Sequence, residues 1–236
     1  MRITGAGIWH TRLHFTSEEQ AGGGIEFLDS SSNVEMDNLY MDSELKSRFH
    51  QEANYKGIAG VLGENSKLHD LWLEHFECGI WVGDYVEADK MKYTKNLTVS
   101  NSRIRDNFAD GVNFAQGTRN SKVQNSNIRG NGDDGLATFA SKAILEIKEN
   151  VNGVEQVRYI HTESKPAENN AFLNNTVELT WRASGIALHG GANHRIEGNL
   201  VKDITSGPGL RVSTVFPGYN FDDNQNISIK RNLLIQ

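Results

Sequence analysis

Three aspartates lie where the sequence repeats itself, and their types and spacing suit acid–base chemistry. Asp110 precedes Gly111, and 24 residues later Asp134 precedes Gly135, with Asp133 beside it. A pair of carboxylates can hold and deprotonate a water molecule while a separate carboxylic acid protonates a leaving oxygen, as in inverting glycoside hydrolysis. Three carboxylates can also bind Ca²⁺ and assist β-elimination from a uronate. Both kinds of chemistry need a fold that brings the three side chains together.

The residues around these aspartates form a repeat of 24 residues. A shift of that length superposes identical residues: Val99 on Val123, Asn101 on Asn125, Ser102 on Ser126, Ile104 on Ile128, Arg105 on Arg129, Asn107 on Asn131, Asp110 on Asp134 and Gly111 on Gly135. A repeat of this length, with short β runs and many Gly and Asn residues, predicts a solenoid in which each repeat is one coil. Strands of adjacent coils lie about 4.7–4.9 Å apart. The two stacked aspartates therefore repel each other, and the pKa of at least one must rise.

Turn chemistry is the simpler explanation of an aspartate that precedes a glycine. The equivalent turns elsewhere do not need an acid, since the residues before the other glycines of the same column are Gly23, Lys56, Cys78, Ser184 and Pro208. The acids therefore indicate catalysis or a metal site. Strand alternation predicts that Asp133 turns away from Asp134 and forms a separate acid, offset along the surface.

One column of glycines runs through the whole chain and defines the coils: Gly24, Gly57, Gly79, Gly111, Gly135, Gly185 and Gly209. Strand alternation predicts that the glycines face outward and that the residues after them point inward; these are Ile25, Ile58, Ile80, Val112, Leu136, Ile186 and Leu210. The next residues are predicted to face solvent: Glu26, Ala59, Trp81, Asn113, Ala137, Ala187 and Arg211. A turn ladder of amide side chains is predicted at Asn101, Asn125, Asn175 and Asn199. Together these patterns predict an all-β fold, a right-handed parallel β-helix with coils of about 24 residues.

Length and composition fit a single domain over residues 1–236, which we expect to be a piece of a longer chain because the coil pattern runs to both ends. An insertion at residues 143–161 is predicted to protrude as a β-hairpin, since Asn152-Gly153 is a strong hairpin signal. A formal charge of −6 without a Lys/Arg run argues against nucleic-acid and membrane partners. The single cysteine, Cys78, allows no internal disulfide. We expect a secreted, extracellular monomer without cofactor or metal, although Met1–His10 has no signal-peptide pattern.

Three further residues are candidates for binding a substrate near the acids. Trp81 lies in the outward column and could stack on a sugar ring, or it could be a partly covered rim aromatic. Asn113 lies beside Asp110 and could bond sugar hydroxyls. His189 is expected to face outward on the coil after the acids, either as a sugar ligand or as a solvated surface histidine.

Asp84 and His75, which lie near Trp81 in the sequence, are weaker candidates for substrate binding. Cations near the acids would indicate an anionic uronate substrate. Arg211 is the only cation in the outward column, which favours hydrolysis of a neutral glycan over β-elimination.

The chain resembles the catalytic β-helix of glycoside hydrolase family 87, the α-1,3-glucanases and mycodextranases. The resemblance covers most of the chain in order, in the stretches Gly7–Thr11, Gly57–Gly60, Leu71–His75, Ala109–Phe114, Gly132–Ala137 and Gly185–Gly191. It implies an inverting, endo-acting hydrolase of α-1,3-glucan or nigeran, with this polysaccharide as the partner. By the same resemblance Asp133 is the general acid, and Asp110 with Asp134 activates water. Two other classes stay open: a Ca²⁺-dependent polysaccharide lyase and a non-catalytic carbohydrate-binding coil stack.

Overall fold

The computed structural model describes residues 1–16, 24–28, 30–48, 56–83, 92–139, 144–161, 167–216, 220–221 and 226–236. The strands in chain order are Arg2–Thr4 (β1), Arg12–Phe15 (β2), Ile25–Phe27 (β3), Glu35–Ser43 (β4), Lys56–Gly60 (β5), Lys67–Glu74 (β6), Cys78–Val82 (β7), Thr98–Ser100 (β8), Arg103–Arg105 (β9), Val112–Ala115 (β10), Lys122–Gln124 (β11), Asn127–Arg129 (β12), Leu136–Phe139 (β13), Ile144–Val151 (β14), Val154–His161 (β15), Ala171–Leu173 (β16), Thr176–Glu178 (β17), Ile186–His189 (β18), Arg195–Glu197 (β19), Leu200–Lys202 (β20), Leu210–Ser213 (β21), Ser228–Lys230 (β22) and Leu233–Ile235 (β23). These ranges contain no helix, and hence none that could cross a membrane.

The coils build two sheets around one interior. In a central coil, two short strands such as β11 and β12 join a 14-stranded sheet, here the large sheet. The next strand, β13, joins a seven-stranded sheet, here the small sheet, in the order β21-β18-β13-β10-β7-β5-β3. Pairing between coils is parallel and keeps the sequence repeat, with Leu136 opposite Val112 on one side and Ile186 on the other. The predicted parallel β-helix is therefore confirmed.

Branched aliphatic side chains fill the interior, as the glycine column predicted. The central members of the inward column are completely buried: Ile58, Ile80, Val112, Leu136 and Ile186. Ile25 and Leu210, in the outer coils, are half-buried. Full burial of one such side chain contributes roughly 1.5–3 kcal/mol, so the stacked column is a large part of what holds the coils together.

The glycines of the column face the interior, whereas strand alternation predicted that they face outward. A Cβ atom on Gly111 would lie 2.4 Å from the carbonyl oxygen of Gly135 and 2.8 Å from Ile128 Cγ2. The prediction was wrong because the chain turns a corner here between the two sheets, and two consecutive residues point inward. Glycine occupies the corner because a side chain has no room there.

The outward column is also less exposed than its mixed residue types suggested. Asn113, Ala137 and Ala187 are completely buried, whereas Trp81 is half-buried and Glu26 is exposed. The buried members lie on the coils that carry the aspartates and on the next coil. The side chains around the aspartates are therefore in a desolvated setting.

The polar ladder exists, but its members differ from those predicted. Asn175 Nδ2 donates to Asn199 Oδ1 at 3.1 Å. On the preceding coil the neighbour of Asn175 is Ser126, whose N–H donates to Asn175 Oδ1 at 3.0 Å, and not Asn125. The predicted ladder was out of register by one residue at Asn125, because it counted back from the glycines and the corner before Gly185 is one residue longer than that of the preceding coil.

The strands β14 and β15 pair antiparallel in a two-stranded sheet of their own. Asn152 and Gly153 form the turn with φ values of 56° and 85°, the left-handed pair that a two-residue hairpin turn of this type requires. The insertion between β13 and β16 therefore contains a hairpin, which begins at Ile144 where the sequence suggested residue 143.

Candidate active site

Two stacked corners carry the aspartates, one between β9 and β10 and the other between β12 and β13. Asn107 and Asn131 hold these corners in register, since the N–H and Nδ2 of Asn107 both donate to Asn131 Oδ1, at 3.2 and 2.9 Å. Asn131 Nδ2 in turn donates to the carbonyl oxygen of Ile104. The repeated asparagine of the sequence is thus a structural reason why Asp110 and Asp134 stack.

One carboxylate oxygen of each stacked aspartate binds the backbone of the following coil. Asp134 N–H donates to Asp110 Oδ1 at 3.0 Å, and Ser184 N–H donates to Asp134 Oδ1 at 2.8 Å. Both aspartates are buried, with exposed fractions of 5% and 4%. A structural role in the turn therefore explains Oδ1 of each aspartate, whereas Oδ2 of each contacts a side chain.

The second oxygen of Asp110 accepts a hydrogen bond from Asn113 Nδ2 at 2.9 Å. Asn113 was a candidate for contact with sugar hydroxyls, and its Oδ1 has no hydrogen-bond partner among the described residues. An amide placed in this way can support the carboxylate of Asp110 with one atom and accept a hydrogen bond with the other.

The second oxygen of Asp134 meets a buried histidine. His189 Nε2 lies 2.9 Å from Asp134 Oδ2, and His189 Nδ1 lies 3.3 Å from Ser213 Oγ. His189 was expected to face substrate or solvent, but it is only 1% exposed. The rings of Phe139 and Phe216 pack against it, with centroids 4.8 and 5.1 Å from that of the imidazole. The structure therefore places His189 behind the carboxylate of Asp134.

Asp133 lies at the accessible edge of the cluster, with one third of its side chain exposed. Arg48 Nη1 donates to Asp133 Oδ2 at 2.6 Å. One oxygen of each of Asp110, Asp133 and Asp134 lies within 4.8 Å of the others. The prediction that Asp133 turns away as a separate acid was wrong, because residues 131–135 form a corner where strand alternation does not apply. The three acids form one cluster that could hold a proton, a water molecule or a cation, and Asp133 differs from the other two in exposure and partner.

Burial and charge set the protonation of Asp110. Burial raises the pKa of Asp110 well above its usual range, and the charges of Asp134 and Asp133 raise this pKa further. The hydrogen bond from Asn113 opposes the rise because it favours the ionised carboxylate. The expectation that stacking forces at least one pKa upward is met at Asp110.

A family model described as "Alpha-1,3-glucanase catalytic domain D2" matches residues 1–229. The chain belongs to this family. The family resemblance drawn from the sequence motifs is therefore confirmed. No curated protein matches the chain.

Solved structures agree with membership of the α-1,3-glucanase catalytic domain D2 family. The chain is similar to the Agl-KA catalytic domain, with 46% identity, a TM-score of 0.86 and coverage of 100% of this chain and 37% of that chain. It is similar to the catalytic domain of a GH87 α-1,3-glucanase in complex with nigerose, with 26% identity, a TM-score of 0.74 and coverage of 99% and 36%. For the catalytic unit of the thermostable GH87 α-1,3-glucanase from Streptomyces thermodiastaticus strain HF3-3, these values are 23%, 0.73, 99% and 37%. The chain spans just over a third of the length of each of these proteins.

Three residues of this α-1,3-glucanase family member remain as candidates for substrate binding: Trp81, His75 and Asp84. Trp81 is half-buried, with its ring edge-on to Phe139 at 5.8 Å and Lys56 Nζ 5.3 Å from its centroid. His75 is exposed at the start of the corner between β6 and β7, at the level of Asp106 and not of Asp110. Asp84 lies outside the described residues.

Arg211 is the one cation of the outward column, as the sequence shows, but the structure adds two cations from outside that column, Arg48 and Lys56. Arg48 lies in an insertion without repeat, where no spacing pointed to Asp133. Lys56 did carry a signal, because it stands opposite Cys78 in the column that holds Asp110. Lys56 also pairs with Glu77, so its charge is partly balanced.

Proposed function

We propose that this chain hydrolyses α-1,3-glucosidic bonds within glucan chains and belongs to a secreted enzyme. The observation that carries the proposal is the cluster of Asp110, Asp133 and Asp134 in a chain that belongs to an α-1,3-glucanase catalytic domain family. A similar protein is described in complex with nigerose. A secreted location is consistent with an insoluble polymer as substrate.

The proposed roles follow from burial and partners. Asp134, supported by His189 and by a backbone N–H, takes a proton from a water molecule, whose oxygen then attacks the anomeric carbon. Asp110 helps to hold that water. Asp133 gives its proton to the leaving oxygen as the glycosidic C–O bond breaks, so that one proton is taken up and one is released.

Arg48 has a place in this sequence of steps. A general acid must reach the leaving oxygen, whereas Asp133 Oδ2 is occupied by the hydrogen bond from Arg48 Nη1 at 2.6 Å. The pair therefore has to open when the glycosidic oxygen approaches Asp133. Arg48 can then donate to a substrate hydroxyl or to a neighbouring carboxylate.

Similar proteins support the choice of aspartates. Three GH87 α-1,3-glucanase structures carry single aspartate-to-alanine substitutions, in complexes with nigerose or tetrasaccharides. In these enzymes the second substituted aspartate lies 23 residues after the first, and the third lies directly after the second. Asp110, Asp133 and Asp134 have the same spacing.

We propose inversion at the anomeric carbon, with water activated by a carboxylate and no covalent intermediate. Carboxyl groups of inverting enzymes usually lie ~6.5–9.5 Å apart, and those of retaining enzymes ~5–5.5 Å apart. The cluster is more compact than the first range, so the anomer of the first product is the deciding measurement. The α-anomer as first product would make one aspartate a nucleophile.

The proposed roles are tested by Asp133→Asn, with Asp203→Asn as matched control. Asp203 is exposed at a similar corner two coils away and has a φ of 55°, which Asn also adopts readily. We expect Asp133→Asn to lower the release of reducing ends from insoluble α-1,3-glucan by at least about 100-fold without loss of glucan binding. The control is expected to keep wild-type activity. Retained activity in Asp133→Asn would remove Asp133 as the acid.

A Ca²⁺-dependent lyase is the second candidate, because three clustered carboxylates could hold a cation and Arg48 could face a uronate. Incubation with polygalacturonate and with α-1,3-glucan separates the two chemistries. Unsaturated products that absorb in the ultraviolet and disappear with chelator would assign the lyase. Reducing ends from glucan alone, unaffected by chelator, would assign the hydrolase.

A further inference from the structure

A second groove lies on the outer face of the large sheet, away from the aspartate corners. Its volume is about 510 Å³, and its walls include Trp9, Asn38, Asp70, Arg103 and Asn125. Asn125 lies between the two short strands of its coil, and Asn38 and Asp70 lie at the equivalent level within the longer strands β4 and β6, whereas the aspartates lie at the next corner along the coil. The groove and the proposed active site therefore occupy different sides of the β-helix.

Trp9 is an exposed aromatic residue that its neighbours hold in place. It lies in the turn that follows Gly7 and is 70% exposed. Its ring meets that of Trp72 edge-on, with centroids 5.1 Å apart, and the guanidinium of Arg103 lies 5.4 Å from its centroid. Arg103 also lies over Trp72, at 5.6 Å. The indole is thus fixed on one side and open to solvent on the other.

Short polar side chains repeat along the groove, one from each coil. Asn38, Asp70, Asn101 and Asn125 have φ values between 51° and 58°. This left-handed backbone accounts for the choice of Asn or Asp, including Asn101 and Asn125, which the sequence had placed in the turn ladder. Their side chains line the groove beside Trp9. Because successive coils repeat every ~4.8 Å, they present a regular row of donors and acceptors.

The chemistry of the groove indicates a neutral, repetitive ligand rich in hydroxyl groups. An open aromatic face covers an apolar ring surface, and amide and carboxylate groups bond hydroxyls. The lining holds one cation, Arg103, and one anion, Asp70, so its formal charge is zero, which disfavours a polyanion. A repeating row of polar groups matches a repeating polymer better than it matches a single small molecule.

We propose that this groove binds a segment of the glucan chain outside the active site and holds the protein on insoluble substrate. This inference rests on the proposed function for the identity of the polymer. The groove would contribute to attachment to the polymer and not to bond cleavage. Short oligosaccharides, which fill only the active site, would not need it.

The test compares Trp9→Ala with Leu233→Ala. Leu233 is 58% exposed and lies in the same sheet. It occupies the position equivalent to Arg103 on a distant coil, because strand pairing aligns Leu233, Leu200, Thr176, Asn127 and Arg103 on successive coils. Both substitutions are made in the Asp133→Asn protein for sedimentation with insoluble α-1,3-glucan, and in the wild type for hydrolysis of a soluble α-1,3-linked tetrasaccharide. Thermal unfolding of each variant checks the fold.

We expect Trp9→Ala to bind the polymer about tenfold more weakly, as the loss of one aromatic contact of ~1.4 kcal/mol implies. Hydrolysis of the tetrasaccharide is expected to stay within twofold of wild type, and Leu233→Ala is expected to change neither value. Unchanged polymer binding in Trp9→Ala would overturn the proposal. So would equal losses of polymer binding and tetrasaccharide hydrolysis, because Trp9 would then act through the active site or the fold.

Failure of the proposed function gives a different pattern. If the wild type does not cleave the tetrasaccharide but sediments with glucan in a manner that depends on Trp9, the groove stands and the hydrolase assignment falls. If the wild type cleaves the tetrasaccharide but does not sediment with the polymer, the groove proposal falls alone.

Discussion

Replacement of Asp110 by Asn is expected to abolish activity and to stabilise the fold at neutral pH. Asp110 has a raised pKa because burial and the charges of Asp134 and Asp133 oppose its ionisation. Ionisation of Asp110 therefore lowers the free energy of unfolding, and an uncharged amide avoids this loss. An Asn side chain can keep the hydrogen bond from Asp134 N–H. Its Nδ2 can donate to Asn113 Oδ1 once the Asn113 amide turns over.

The stabilisation depends on pH with a definite sign. At a pH below the pKa of Asp110 in the unfolded chain, about 3.9, the carboxyl is protonated in both states and costs nothing. As the pH rises from there to the raised pKa of the folded state, the folded chain binds more protons than the unfolded chain, and its stability falls. Above the folded pKa the full loss is present. The advantage of Asp110→Asn therefore grows with pH and then becomes constant.

The size of the effect follows from linkage. Each unit by which the pKa of Asp110 is raised lowers the free energy of unfolding by ~1.36 kcal/mol. In a chain of 236 residues, 1 kcal/mol changes Tm by about 2–4 °C. Each unit by which the folded pKa is raised, up to the pH of the measurement, should therefore appear as a gain of about 3–5 °C for Asp110→Asn at neutral pH, relative to its Tm difference at pH 4.

The assay is differential scanning calorimetry of wild type, Asp110→Asn and Asp203→Asn between pH 4 and pH 8. Asp203→Asn removes an exposed carboxylate from a similar corner and should give a Tm difference that varies little with pH. A Tm difference between Asp110→Asn and wild type that stays constant across this range would refute the account of a buried, repelled carboxyl. A difference that shrinks with rising pH would refute it as well.

Two further substitutions test the support of the site and the corner. His189→Ala removes the contact with Asp134 and should lower kcat/KM by about 10- to 100-fold, since a hydrogen bond to a charged group contributes ~1.5–3 kcal/mol. The control is Ser213→Ala, which affects only the far side of the imidazole and should lower kcat/KM less than about fivefold. Gly111→Ala places a Cβ atom 2.4 Å from a carbonyl oxygen and should lower the free energy of unfolding by about 1–3 kcal/mol in urea denaturation. Gly209→Ala, whose Cβ atom would first meet a leucine methyl group at 3.1 Å, is the matched control.

The outcomes that would contradict these two predictions are definite. Wild-type kcat/KM in a folded His189→Ala protein, or an equal loss in Ser213→Ala, would show that the imidazole does not support Asp134. Equal unfolding free energies for the two glycine variants would show that the corner has room for a side chain.

Much of the fold and part of the site were predictable because a coil repeats local information. The 24-residue period fixed which strands become neighbours, so the stacking of Asp110 on Asp134 and the inward aliphatic column followed from spacing alone. The prediction failed where the chain leaves strand geometry. At the corners, alternation gave the wrong side for Gly111, and a one-residue difference in corner length moved the amide ladder from Asn125 to Ser126.

The partners of the aspartates could not be predicted, because they come from distant and non-repeating parts of the chain. His189 lies 55 residues from Asp134 in the sequence, beyond the insertion that contains the hairpin. Arg48 lies 85 residues from Asp133, in an insertion that has no counterpart in other coils. No periodicity marks either residue as part of the site. The burial of His189 depends on Phe139 and Phe216, which cover it from two different coils.

The sequence by itself determined that coils stack in one register and that two carboxylates must repel each other across neighbouring coils, since identical repeats place identical residues side by side. Only the tertiary structure decided how those carboxylates differ. Asp110 is buried against an amide, Asp134 against an imidazole, and Asp133 is one-third exposed beside a guanidinium. Burial and charge depend on which loops and later coils cover a position, and these segments follow no repeat that spacing could reveal.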